Sequence, residues 1–255
     1  MKNLLNSLRE KTSYCLDEIF AFISAPACPG CHEYMENPHN PLCDDCRKHL
    51  DFSGDGAVCL ICKCPEGIAC RCRVEKKFNV PRMYYWGLYA DVVRELIHQF
   101  KFDGHNELGR YLTKIAMDKL YNRMQGISFD YIIPVPMLKK DINNRGFNQT
   151  HIIAEDVSER LAIPVEYDIL RKVKKTELQA NLSASERWTN IADAFAVDDS
   201  ANLKGRRVLL IDDIVTTGAT CCECAKALYA AGVKDVAVFA LISNNRGSRS
   251  ISNRI

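Results

Sequence analysis

The chain has 255 residues, 47% of them apolar, and a formal charge of +2 at pH 7, which is enough for one substantial core with a smaller module beside it. So small a charge excludes a globally basic nucleic-acid binder. Residues 1–80 hold ten Lys and Arg against eleven Asp and Glu, so any contact with nucleic acid needs a local patch.

The first segment, MKNLLNSLREKTSYCLDEIF, interrupts its apolar residues with charges. It therefore reads as neither a secretory signal nor a membrane span. A cytoplasmic location is expected, with the inner face of the membrane as the alternative to free solution. Leu4, Leu5, Leu8, Cys15, Leu16, Ile19, Phe20 and Ile23 recur at helical spacing. Residues 1–25 are thus expected to form an amphipathic helix, packed on the body or docked on a partner or membrane surface.

Residues 26–80 form a second expected region, in which nine of the thirteen cysteines fall between Cys28 and Cys72. A stretch so short of apolar runs needs a staple, and CxxC pairs in a reducing compartment favour zinc over disulfides. Cys28, Cys31, Cys43 and Cys46, with eleven residues between the pairs, match a four-thiolate zinc ribbon. Cys59 and Cys62 open a second knuckle, but Cys64, Cys70 and Cys72 all follow, so its remaining ligands stay open. The set Cys59, Cys62, Cys70 and Cys72 is the candidate second site. A ribbon of this kind can be a folding staple, a protein-docking face or a nucleic-acid contact, and the slight acidity here disfavours the last. Residues 73–81 read as a linker.

Over residues 81–255, apolar runs of strand length alternate with helical stretches, the pattern of an α/β domain with a mostly parallel sheet. DVVRELIHQFKF and NELGRYLTKIAMDKL are amphipathic helices. FDYIIPVP reads as a strand, followed by the basic loop MLKKDINNRGFNQ and a helix near Thr150–Leu161. IPVEYDIL and RRVLLI read as further strands, the latter introduced by a turn at Gly205. CCECAKALYAAG reads as a helix closed by Gly232, with Cys221, Cys222 and Cys224 as small buried apolar residues. DVAVFALI is the final strand.

The chemistry concentrates after the strand VLLI, where Asp212 and Asp213 precede Ile214, Val215 and the turn TTGAT. Thr216, Thr217, Gly218, Ala219 and Thr220 can offer main-chain N–H groups and hydroxyls to a phosphate at a helix N-terminus. The paired carboxylates can accept hydrogen bonds from vicinal sugar hydroxyls, and Mg²⁺ would offset their repulsion of a diphosphate. Neither GxxxxGK[ST] nor GxGxxG occurs, which disfavours two other phosphate-binding folds.

Val208–Thr220 resembles the signature of type I phosphoribosyltransferases. Three further segments, LIHQFKFDGHNELGRYL, FDYIIPVPMLKKDINNRGFNQTHIIA and KKTELQANLSASERWTNIADAF, together with the cysteine pairs, resemble the ComF family, whose members join a zinc ribbon to such a domain. The resemblance implies a type I phosphoribosyltransferase fold that binds phosphoribosyl diphosphate with Mg²⁺ through Asp212, Asp213 and the TTGAT loop. It also implies a diphosphate loop over Val135–Asn148, with Lys139, Lys140 and Arg145 as cations and Gly146 at the turn. Lys174, Lys175 and Arg187 would sit on a loop that closes over the site, and Lys101 and Phe102 in a hood, where His98 and His105 are packing or surface residues. Catalytic roles, if turnover occurs, would fall to Asp212, Asp213, Arg145 and Lys174. The family role implied is support of natural transformation, with single-stranded DNA as the expected partner; a non-enzymatic reading is an interaction module whose zinc ribbon docks a helicase or another DNA-processing partner while the phosphoribosyl site senses a metabolite. A conventional phosphoribosyltransferase of nucleotide salvage or biosynthesis is the alternative.

Overall fold

The structure, a computed structural model, describes residues 27–35, 37, 40–48, 50, 56–66, 68, 70, 72, 79–88, 91–102, 105–177 and 182–244. The expected helix over residues 1–25 and most of the linker lie outside the described residues. Contacts divide the chain into two units, Met1–Leu50 and Asp51–Ile255. The two cysteine sets therefore belong to different units.

In the first unit, the turn after Cys28 is closed by the His32 N–H donating to the Cys28 carbonyl at 2.7 Å and the Cys28 N–H donating to Glu33 at 2.8 Å. Helix α1 (Asp44–Lys48) carries Cys46 on its buried side. Its acids at the start and bases at the end complement the helix dipole.

The second unit is built on a five-stranded sheet. Its strands are β1 (Val58–Cys59), β2 (Arg82–Leu88), β3 (Tyr131–Pro134), β6 (Arg207–Val215) and β7 (Asp235–Ser243), in the order β1-β2-β7-β6-β3. All pairings are parallel except that of β1 with β2. Strand β7 lies between β6 and β2, and its residues Val236–Ser243 are all buried. That is why DVAVFALI is a continuous apolar run rather than an alternating one.

Helices α3 (Asn106–Met124), α5 (Gln149–Leu161) and α7 (Ala219–Ala230) pack on the strands, and α2 (Asp91–Phe102) packs on α3. The buried stripe of α3 is Leu108, Leu112, Ala116, Leu120 and Met124, one residue per turn. Gly109 belongs to the same stripe for a steric reason: a Cβ there would lie 2.2 Å from Cε2 of Phe100, so its absence seats α2 against α3.

Three local readings are corrected. The basic stretch after β3 is not all loop, since Lys139–Arg145 forms helix α4, ended by Gly146 at φ 83°. A left-handed residue there ends the helix without a Cβ penalty. IPVEYDIL does not form a full strand: Val165 makes a single parallel bridge to Ile132, and pairing resumes only at β4 (Leu170–Lys172). This strand joins β5 (Phe195–Val197) in a separate antiparallel pair. The segment read as a closing loop contains helix α6 (Ala184–Ile191), opened by a capping box between Ser183 and Glu186. The S-x-x-E spacing of SASE carries that signal.

Candidate functional site

The carboxyl ends of β3 and β6 lie side by side, with Pro134 opposite Ile211. Functional groups of a parallel sheet collect at this edge. Strand β6 continues through both acids to Val215, so Asp212 and Asp213 are held by strand pairing, Asp212 opposite Ala240 of β7. Consecutive strand residues face opposite ways, and the two carboxylates find different partners. Asp212 Oδ2 accepts the Cys221 thiol at 3.2 Å, and its Oδ1 accepts the Asp213 N–H at 2.9 Å. Asp213 Oδ2 pairs with Lys101 Nζ at 2.9 Å. Burial first, and then the neighbouring Asp213 charge, push the Asp212 carboxyl up to about 7 against the pull of Cys221, Lys101 and the Asp213 N–H.

Gly218, at φ 80°, is the N-cap of α7. The Thr217 hydroxyl accepts the Ala219 N–H at 3.3 Å. Asp212 and residues 214–221 line one shallow cradle around this helix start, where the helix dipole favours an anion. The cradle opens beside a cleft of about 560 Å³ lined by Ile61, Cys62, Lys63, Ser183, Arg187, Thr216, Thr217 and Asn244, among others. Arg187 Nη1 donates to Thr216 Oγ1 at 3.0 Å, which brings α6 to the Thr216–Thr220 turn.

The remaining predicted residues are placed less centrally. Lys174 is exposed and donates to the Ala192 carbonyl at 3.2 Å, and Lys175 and Lys140 are exposed. The backbones of Lys139 and Arg145 lie in α4; their side chains, like that of Phe102, are outside the described residues. His98 and His105 are exposed, and Cys221, Cys222 and Cys224 are buried on α7.

Asn148, Gln149 and Thr150 were not singled out from the sequence, although RGFNQT contains all three. Asn148 caps α5 by accepting the Thr150 N–H, while the Thr150 hydroxyl donates to the Val135 carbonyl at 2.9 Å. Gln149 Nε2 donates to the Lys101 carbonyl at 2.9 Å. These bonds tie the end of β3 and the end of α2 to the start of α5. Lys101 is thereby positioned to reach Asp213.

The cysteines form two four-thiol groups, Cys28, Cys31, Cys43, Cys46 and Cys59, Cys62, Cys70, Cys72, each with its sulfurs within 4.8 Å of one another. Tetrahedral zinc with bonds of about 2.3 Å sets sulfurs about 3.8 Å apart. Cys31 and Cys43 lie 3.7 Å apart and Cys62 and Cys70 3.4 Å apart, so both groups fit a metal such as zinc. Backbone N–H groups of Gly30 and Cys43 point at Cys28 Sγ, each at 3.4 Å. Although burial pushes the Cys28 thiol up, these and the Cys31 N–H bring it down to about 6, whereas burial pushes Cys46 up. Cys64 Sγ lies 3.3 Å from Cys62 and stands beside the second group. Burial pushes the Lys63 ammonium down to about 8 against the pull of the surrounding thiols.

A parallel sheet whose strand ends in two acids, followed by a hydroxyl-rich turn at a helix start, defines a phosphoribosyltransferase-type α/β domain. The family model of the phosphoribosyl transferase domain matches residues 149–254. Over 218 residues the chain is 30% identical to Competence protein F of Haemophilus influenzae, covering 84% of this chain and 89% of that protein. It is 28% identical over 220 residues to the DNA utilization protein YhgH of Escherichia coli K12, covering 78% and 96%. It is also 26% identical over 218 residues to Competence protein ComFC of Bacillus subtilis, covering 82% and 87%. The chain belongs to the ComF family. No helix among the described residues is long and apolar enough to cross a membrane.

Proposed function

We propose that this chain supports natural transformation by acting on incoming single-stranded DNA, and that its phosphoribosyltransferase-type site binds phosphoribosyl diphosphate with Mg²⁺. The observation that carries the second part is the juxtaposition of Asp212 and Asp213 with the Thr216–Thr220 turn at the start of α7. The first part rests on the relatives named for competence and DNA utilization.

In this reading the 5′-phosphate lies against the N–H groups of the turn and the ribose hydroxyls donate to the two carboxylates. Lys101 must leave Asp213 for the second hydroxyl to reach it, so binding exchanges an ion pair for ligand contacts. Arg187 adds charge from α6. Bound Mg²⁺ neutralises the diphosphate, with Lys139, Lys140 and Arg145 of α4 as the further cations that the family resemblance implies. Zinc fills the two thiol groups, and the first unit is the docking face for a DNA-processing helicase.

Calorimetric titration of phosphoribosyl diphosphate, with and without Mg²⁺, tests the site. Wild type should bind with Mg²⁺, and an Asp212→Asn, Asp213→Asn double variant should not; equal binding by both refutes the assignment. Deletion of the gene should reduce transformation by supplied DNA while leaving growth on single purine or pyrimidine sources intact. Normal transformation combined with a nucleobase growth defect would instead select the salvage or biosynthetic enzyme.

A further inference from the structure

The second thiol group belongs to the same unit as the phosphate loop and is seated on it. Leu60, inside the knuckle, is fully buried, and its carbonyl oxygen lies 2.9 Å from where a Cβ on Gly218 would sit. Gly218 therefore serves a close approach as well as a left-handed turn. The knuckle closes through the Lys63 N–H to the Cys59 carbonyl at 3.0 Å and the Cys59 N–H to the Cys64 carbonyl at 2.8 Å.

Lys63 follows the second cysteine of its pair at φ 62°, a backbone conformation better suited to glycine. His32 occupies the equivalent place after Cys31, at φ 61°. The two side chains differ in setting: His32 is exposed, whereas Lys63 is 9% exposed. A lysine is rarely so buried without a paired charge. Its Nζ donates to the Leu60 carbonyl at 2.5 Å; among the described residues no carboxylate forms an ion pair with it, and the titratable groups around it are the thiols of Cys221, Cys59, Cys222 and Cys62. The same side chain lines the cleft shared by Thr216, Thr217 and Arg187. A strained, buried cation facing a phosphate loop has a reason to be there if an anion completes it.

We propose that Lys63 is an anion-binding residue of the phosphoribosyl site, carried into the cleft by the metal-binding knuckle. The proposal rests on the phosphoribosyl diphosphate reading above and adds a ligand from outside the phosphoribosyltransferase loops. The knuckle then does two things: its metal holds the Leu60–Lys63 turn, and the turn presents both a packing surface to Gly218 and a charge to the phosphate. Glycine at position 63 fits the backbone better than lysine, so its substitution separates charge from folding.

The experiment is titration of Mg²⁺ with phosphoribosyl diphosphate into wild type, Lys63→Gly, Lys63→Met and the Asp212→Asn, Asp213→Asn variant, with metal content and melting temperature measured on each. Lys63→Gly should keep the wild-type metal content, melt no lower than wild type and bind at least tenfold more weakly, and Lys63→Met should bind as weakly. Undiminished affinity in both Lys63 variants, with binding still lost in the double aspartate variant, overturns the role of Lys63 alone. Loss of one metal equivalent from Lys63→Gly at unchanged affinity also overturns it, because the ammonium would then balance the thiolates instead. If wild type itself binds nothing, the phosphoribosyl diphosphate reading fails, and the proposal with it.

Discussion

Replacing Asp212 with asparagine should stabilise the protein without ligand at alkaline pH while removing its ligand affinity. The carboxyl is packed against β7 and α7, takes one thiol and one N–H hydrogen bond, and has Asp213 as its neighbour, whereas Lys101 pairs with Asp213 rather than with it. Its affinity for a proton therefore rises on folding, to a value about 7 against an ordinary 3.8. The folded chain then holds a proton that the unfolded chain releases between these values. Stability is undiminished below about pH 4, falls as pH rises towards 7, and stays reduced above it. Each tenfold change in proton affinity is worth about 1.4 kcal/mol, so the full effect would approach about 4 kcal/mol. Access of water from the cradle that Asp212 lines reduces this to about 1–2 kcal/mol. Asparagine keeps the shape and cannot ionise, so it should restore that amount at pH 8, raising the melting temperature by about 2–8 °C, and restore almost nothing near pH 4. Thermal melts of both proteins from pH 4.5 to 8.5, without nucleotide or Mg²⁺, measure the difference. A gap that does not widen with pH, or a less stable variant at pH 8, would refute the reasoning.

Other expected outcomes follow from the same geometry. Gly109→Ala forces a methyl into the Phe100 ring and should cost about 1–3 kcal/mol, read as a lower urea midpoint. Gly218→Ala combines a left-handed φ with a 2.9 Å approach to the Leu60 carbonyl, so phosphoribosyl diphosphate affinity measured by calorimetry should fall at least tenfold. Metal analysis should find two zinc ions per chain, one lost in Cys28→Ser and the other in Cys59→Ser, with both kept in Cys64→Ser. Arg187→Met should weaken phosphoribosyl diphosphate binding with little change in melting temperature, because the guanidinium reaches from α6 to Thr216 at the cleft and methionine keeps the length of the apolar stem.

The α/β class and most helices and parallel strands could be read from local patterns, because hydrophobic period and chain punctuation are properties of neighbouring residues. The two acids and TTGAT were legible for the same reason: the elements of the loop are contiguous. Short cysteine spacing brought Cys28 to Cys46 into one expected site, but the five cysteines from Cys59 to Cys72 offered more sets than spacing can choose between.

What tertiary structure decided lies between segments far apart in the chain. That IPVEYDIL leaves the main sheet depends on β4 finding β5 rather than β3, a choice among pairing partners that no local period encodes. The Lys101–Asp213 pair, the Gln149 bond to the Lys101 carbonyl, the Arg187 bond to Thr216 and the seating of Leu60 on Gly218 join residues 29 to 158 positions apart. Each depends on where packed helices and a knuckle come to rest. The sequence by itself thus determined the fold class and which polar and charged residues each loop holds, because both are written in neighbouring residues; only the packing of α2, α5, α6 and the second knuckle decided which side chains meet at the end of β6.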